Sequence, residues 1–260
     1  MVRAALILLM LALPAGAAPP QRVVSMNLCT DQLALLVGAP GQVVSVSWLA
    51  ADSRVSLMPD AARAVTLNHG LAEEIYLLQP DLVLAGTYTT RATVDMLRRL
   101  GLRVETMAPA ASISDVRGGI THMGALLDRP ERAAEVLAGF DAALAAIPSG
   151  SGAKAATYGA NGWTAGGQTL AGDVMRAAGL RLLAERLGLD YGGSLALEQL
   201  VLAGPELVIT ASRYALPSRA EEILHHPALT ALSARRVTVP DRNWVCGLPH
   251  IADVARELAR

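Results

Sequence analysis

Glu73-Glu74-Ile75-Tyr76-Leu77-Leu78-Gln79-Pro80-Asp81-Leu82-Val83-Leu84 returns later in the chain as Glu198-Gln199-Leu200-Val201-Leu202-Ala203-Gly204-Pro205-Glu206-Leu207-Val208-Ile209, with Pro205 standing 125 positions after Pro80. Each copy reads as a short amphipathic helix halted by a proline, which cannot continue the helical hydrogen-bond ladder. A run of Leu, Val and Ile follows, apolar on both faces as a buried parallel strand requires. The spacing is too long for a solenoid and implies a duplicated α/β lobe.

Outward from the first copy, 23–26 and 43–46 read as strands, with a helix over 30–36 between them that stops at Gly38. A long loop through Trp48, Arg54 and Pro59 leads to the repeat helix. Beyond the repeat strand, a helix over 93–100 ends at Gly101 and a strand covers 104–107. The second half repeats the plan: strand 155–158, helix 170–178 ending at Gly179, the second repeat, a helix capped by Ser218 and running through Ile223, strand 236–239 and helix 251–259. Between the halves, 112–127 and 131–147 are helical. The second of these starts after Pro130, is rich in alanine and would be roughly 25 Å long at about 1.5 Å per residue. A flexible piece, Pro148-Ser149-Gly150-Ser151-Gly152, follows it. The expected fold is α/β: two Rossmann-like lobes with parallel sheets, 19–128 and 149–260, joined by a single long α-helix over 129–148.

Composition limits the function. At 52% hydrophobic and 17% charged the chain is globular, and a net charge of −1 without basic clusters excludes a nucleic-acid binder. Arg3, the apolar run 4–13, Pro14 and Ala15-Gly16-Ala17 match a signal peptide over 1–18, cleaved after Ala17 or Ala18. Ten apolar residues fall short of the roughly 20 that span a bilayer. No cysteine follows the run to take a lipid. A soluble, exported, monomeric protein is expected.

Aromatics make up 3% of the chain and are placed unevenly. Trp48, Tyr88, Trp163, Tyr214 and Trp244 each follow a strand, and Tyr191 lies in a glycine-rich loop. Open α/β sheets bind ligands at the carboxyl ends of their strands, so aromatic walls from both lobes imply a flat, partly apolar ligand between them. The plainer alternative is that these rings plug loops onto the core. Arg54, Arg91, Arg213 and Arg242, in or beside the same loops, could hold an anionic chelate through bidentate hydrogen bonds, although each such arginine is more often a solvated surface charge. Cys29 and Cys246 fall one per half. In an oxidising compartment they read as a disulfide across the cleft edge; ligation of a cargo metal, with His69 and His250 near analogous ends, and two free thiols are the alternatives.

The start Arg22-Val23-Val24-Ser25-Met26-Asn27-Leu28-Cys29-Thr30-Asp31-Gln32-Leu33, the stretch from Gly70 to Gly86, the glutamates before each Pro-Asp/Glu-Leu-Val and the connecting helix together resemble the periplasmic substrate-binding proteins of ABC importers for cobalamin and ferric siderophores. The resemblance implies capture of a metal chelate in the interlobe cleft and delivery to an ABC permease and its ATPase in the inner membrane. It implies ligand contacts from Trp48, Asn68, His69, Tyr88, Trp163, Tyr191, Tyr214, Arg242 and Trp244, with no cofactor and no resident metal. Glu73 and Glu198 match the family's permease-docking glutamates, although most exposed glutamates on helices are simply solvated. Asn68-His69 departs from the pattern, standing where an aromatic is expected.

Two other classes compete. One is the haem receptor of an ABC importer, with His69 or Tyr88 as axial ligand. The other is an exported α/β enzyme, which the absence of a Gly-x-Ser-x-Gly elbow and of a His-Glu-x-x-His helix disfavours. His122 falls in mid-helix and His225-His226 at a helix end, positions better suited to packing or solvation than to catalysis.

Overall fold

The computed structural model describes residues 18–212 and 218–260. The leader reading, apart from Ala18, and the cleft roles of Arg213 and Tyr214 lie outside the described residues.

The first lobe opens on β1 (Val23–Ser25) and α1 (Leu28–Val37), where the Asn27 side chain caps the helix by accepting the Cys29 N–H. It continues through β2 (Val43–Ser47), a 3-10 turn Trp48–Ala51, α2 (Pro59–Arg63) and β3 (Thr66–Asn68). Helix α3 (Ala72–Leu77), β4 (Leu82–Gly86), α4 (Arg91–Arg99) and β5 (Val104–Met107) complete it. The sheet order is β3-β2-β1-β4-β5, parallel throughout. Because the winding direction reverses between β1 and β4, a crevice forms outside the carboxyl ends of those two strands.

Two helices lead to the second lobe, α5 (Ile113–Leu126) and α6 (Pro130–Ala145), packed on each other around a turn in which Asp128 takes φ 54°. The strand β6 (Lys154–Thr157) begins a second parallel sheet, completed by β8 (Arg181–Leu182), β10 (Leu207–Thr210) and β11 (Arg235–Thr238) in the order β11-β10-β6-β8. A small antiparallel pair, β7 (Trp163–Thr164) with β9 (Gly193–Ser194), stands apart. Its helices are α7 (Leu170–Ala177), α8 (Leu183–Arg186), α9 (Leu197–Ala203), α10 (Pro227–Thr230) and α11 (Ile251–Leu258). The helix expected after Ser218 is a 3-10 segment, Arg219–His225.

The repeat is one local solution used twice. Gln79 and Gly204, the residues before the two prolines, both take left-handed backbone, φ 50° and φ 57°. In the first copy, Arg22 donates to the exposed carbonyls of Leu78 and Gln79 at 2.8 and 3.2 Å; in the second, Lys154 reaches Ala203 O at 3.3 Å. The acidic residue after each proline accepts backbone N–H groups at the head of the central strand: Asp81 from Gln21 and Arg22, Glu206 from Lys154. Each Pro-Asp/Glu-Leu-Val thus ties a helix end, a strand start and the neighbouring strand together.

Alternation along the strands builds three layers. Val23, Leu82, Leu84, Ala155, Leu207 and Ile209 face one core, which runs continuously through α1, α5, α6, α7 and α11. Val24, Val83 and Ala85 face a second core in the first lobe, and Ala156 and Val208 a third in the second. The lobes therefore share their largest core, and Pro148 to Gly152 is no free linker. Gly150 sits against Gly179, where an added Cβ would lie 2.7 Å from Gly179 Cα, and Gly152 N–H donates to Gly179 O at 3.0 Å. Two glycines let the backbones touch.

Candidate functional site

The carboxyl ends of the two sheets meet each other. Cys29, just beyond β1, is disulfide-bonded to Cys246, beyond β11, with Cα atoms 5.1 Å apart. Arg242 donates across the same joint to Ser53 O at 2.9 Å. Gly247 is pressed so closely onto the first lobe that a Cβ there would stand 2.5 Å from Ala110 Cβ and 2.8 Å from Val116 Cγ2. A fourth tie runs from Ile113 N–H to Asp173 Oδ2 at 2.8 Å.

Beside this joint, at the reversal between β1 and β4, lies a hollow of about 90 Å³. Its walls come from the turn after β1 (Asn27, Cys29, Thr30), the turn after β4 (Gly86, Thr87, Tyr88), the segment after β5, helix α5 (Asp115, Gly119) and Gly247 of the second lobe. Tyr88 is 88% exposed at its mouth. Trp48, Trp163 and Tyr191 are also about half exposed or more, at 48%, 54% and 78%. Rings of this size left in water at strand ends are surface a ligand can bury.

One expected contact needs correction, and two others have protein partners of their own. Asn68 is 2% exposed: it closes β3, its Nδ2 donates to Ser25 O and Ser45 Oγ at 2.9 Å each, and its Oδ1 accepts the Gly70 N–H. A side chain so fully bonded fixes the sheet and has nothing left for a ligand. Trp244 is partly buried and packs against the shared core. The third is His69, whose ring Nδ1 lies 3.1 Å from Glu74 and whose N–H donates to Glu74 at 2.7 Å, a contact at the head of α3 that holds the Glu74 carboxyl below its usual range. Among the arginines, Arg54 pairs with Asp52 and holds that carboxyl down to about 2. Arg91 begins α4 on an exposed face. His250 lies 3.3 Å from Asp253 at the head of α11, His226 caps α10 and His122 is exposed.

Sequence reasoning passed over the buried polar layer beneath the first lobe's strand ends. Asp31 is fully buried, accepts from the Ser47 hydroxyl and leaves Oδ1 without a partner. Burial pushes its carboxyl up to about 6 against the hydroxyls of Ser25 and Ser47, which pull it down. An aspartate inside the first turn of a helix that follows a buried strand was the available signal. Asn27, Thr87, Asp115 and Gly119 were missed because Asn27 stood in a stretch read only for the fold, no motif marks the other three, and only the fold converges all four.

Glu73 and Glu198 occupy matching places in the first turns of α3 and α9, both exposed. The Glu198 charge adds, after burial, to raising the Tyr158 hydroxyl, which donates to Leu195 O.

Known proteins share this arrangement. A cobalamin-binding protein of Halobacterium salinarum is 29% identical over 203 residues, 74% of this chain and 54% of that protein, so the chain spans about half the length of the curated relatives it matches. Among solved structures, a possible iron-binding (periplasmic solute-binding) protein from Staphylococcus epidermidis superposes with a TM-score of 0.76 at 19% identity, covering 93% of this chain and 98% of that one. The periplasmic haem-binding protein HutB of Vibrio cholerae does so with a TM-score of 0.75 at 18% identity, covering 92% and 97%. These likenesses show the fold. Residues 23–239 match the model of the periplasmic binding protein family, and with nearly the whole described chain inside that match, the protein belongs to the periplasmic binding protein family.

Proposed function

We propose that the protein is a soluble receptor of the periplasm that captures a metal chelate, a ferric siderophore or a cobalamin, between its lobes and presents it to an ABC permease and its ATPase. One observation carries the reading: two parallel sheets turn their carboxyl ends to a common joint, bridged by Cys29–Cys246 and Arg242–Ser53, with Tyr88 left open to water at the mouth of the hollow beside it. The curated relative's cobalamin ligand supports a corrinoid among the chelates. Affinity comes from burying the apolar faces of the cargo, at about 25 cal/mol per Å² of apolar surface, with polar groups setting its orientation. Capture involves no covalent chemistry, and export through the segment 1–18 belongs to the same reading. Haem is the second reading, favoured by the open hydroxyl of Tyr88 at the mouth of the hollow.

Titrating the purified chain with cyanocobalamin, a ferric hydroxamate chelate and haem, read by tryptophan fluorescence and thermal unfolding, tests this. One of them should quench saturably at one-to-one stoichiometry and, at a hundred times its dissociation constant, add about 2.7 kcal/mol. Absence of quenching by all three overturns it.

A further inference from the structure

A whole macrocyclic chelate does not fit the hollow beside the disulfide. It measures about 90 Å³, whereas sites for drug-sized ligands run to about 300–1,000 Å³. Yet it sits at the reversal between β1 and β4, where an open α/β sheet places its ligand. Cargo held across the joint would overlie it and send in one short substituent.

Its chemistry selects the substituent. The Asn27 Oδ1 is committed to capping α1, so its Nδ2 is the free end, lying against Gly86 where an added Cβ would be 2.8 Å away. Among the described residues nothing bonds that nitrogen or the Thr87 hydroxyl. The acidic side chain in the wall is Asp115, whose Oδ2 accepts the Ala111 N–H at 3.0 Å. A donor on one side and an acceptor of negative charge on the other complement a group that both accepts and donates. A carboxylate offers no donor and meets like charge.

We propose that this hollow is a subsite for one neutral carboxamide arm of the cargo and that it discriminates against the carboxylate equivalent. The proposal rests on the chelate reading above and narrows it: the cargo carries short amide arms around its apolar body. Gly119 provides the means to close the hollow without harming the fold. It lies inside α5, and a Cβ there meets only Leu33 Cδ1 at 3.8 Å and Met107 Cε at 3.9 Å, ordinary contacts. Alanine and leucine also favour the helix over glycine.

The test compares a corrinoid bearing its carboxamide arms with the same macrocycle after hydrolysis of those arms to carboxylates, by tryptophan quenching on the full chain and on G119A, G119L and D115N. The wild-type chain should bind the amide form at least about tenfold more tightly. G119L should weaken the amide form by about that factor while keeping or raising Tm, G119A should fall between, and D115N should recover affinity for the acid form. Equal binding of the two forms, or an amide preference untouched by G119L, overturns the subsite and leaves the receptor reading standing. Failure of both macrocycles, and of the ferric chelate and haem beside them, overturns both.

Discussion

At the scale of single residues, the two copies of the repeat differ where backbone chemistry matters most. Gln79 holds a left-handed conformation that Gly204 adopts at the equivalent place. That conformation costs a residue with a Cβ about 1–2 kcal/mol, offset in part by the roughly 0.5–1 kcal/mol of entropy a glycine loses on folding. Q79G should therefore stabilise the chain by about 0.5–1 kcal/mol, read as a higher urea midpoint at unchanged m-value. Asp31 carries a pH dependence. Its folded-state pKa, about 6, lies above the ordinary 3.8, so its contribution to stability is complete below about pH 4 and is lost as pH rises through 6. D31N should match the parent at pH 3.5 and exceed it by about 3 kcal/mol at pH 7.5, in urea titrations at the two values. The value of Pro-Asp/Glu-Leu-Val as a signal is explained here as well: proline, acid and the cation of the adjoining strand form one hydrogen-bonded unit, so the pattern is written locally.

At the scale of elements, α3 and α9 are the same helix in two lobes, and Glu73 and Glu198 begin them on the solvent side. Exposed carboxylates at helix N-termini add about 0.3–1 kcal/mol each, too little to account for acids in register by stability alone. If they dock the permease, E73K/E198K should abolish uptake in cells while the purified protein keeps its ligand affinity and Tm within a few degrees; undiminished uptake would remove the docking role. The principal strands of both sheets were readable because buried parallel strands are uninterrupted apolar runs. The strand β3 was not: Thr66, Leu67 and Asn68 have no such run, and Thr66 and Leu67 are exposed at the sheet edge. The resemblance therefore went unopposed in making Asn68 a ligand contact, whereas pairing with β2 turns its amide inward to Ser25 and Ser45. The β7–β9 pair escaped notice for a similar reason, since two-residue strands carry no periodicity.

At the scale of the whole molecule, the lobes are joined more tightly than one rod would achieve. A shared core, the Cys29–Cys246 bond, the Arg242–Ser53 hydrogen bond and the seating of Gly247 on Ala110 all cross the joint. Closing a loop between residues 217 apart in sequence is the kind of cross-link that constrains the unfolded chain most, and C29S/C246S should cost about 2–5 kcal/mol. Without the bond the joint should also open: small-angle scattering of the variant should show a larger radius of gyration than the parent, and cargo affinity should fall. Identical scattering and affinity would assign the bond to stability alone. The duplication, the parallel sheets, the helical connection and the family could all be read along the chain, because helix stops, buried strands and their caps are settled among near neighbours. Which far-apart side chains share a space emerged from the folded arrangement alone: that the two cysteines meet, that the Asn68 amide is spent on hydrogen bonds within the sheet, and that Asn27, Thr87, Asp115 and Gly119 enclose one hollow. Those placements depend on how two sheets rotate onto a common core, a matter of shape complementarity that no short stretch of chain records.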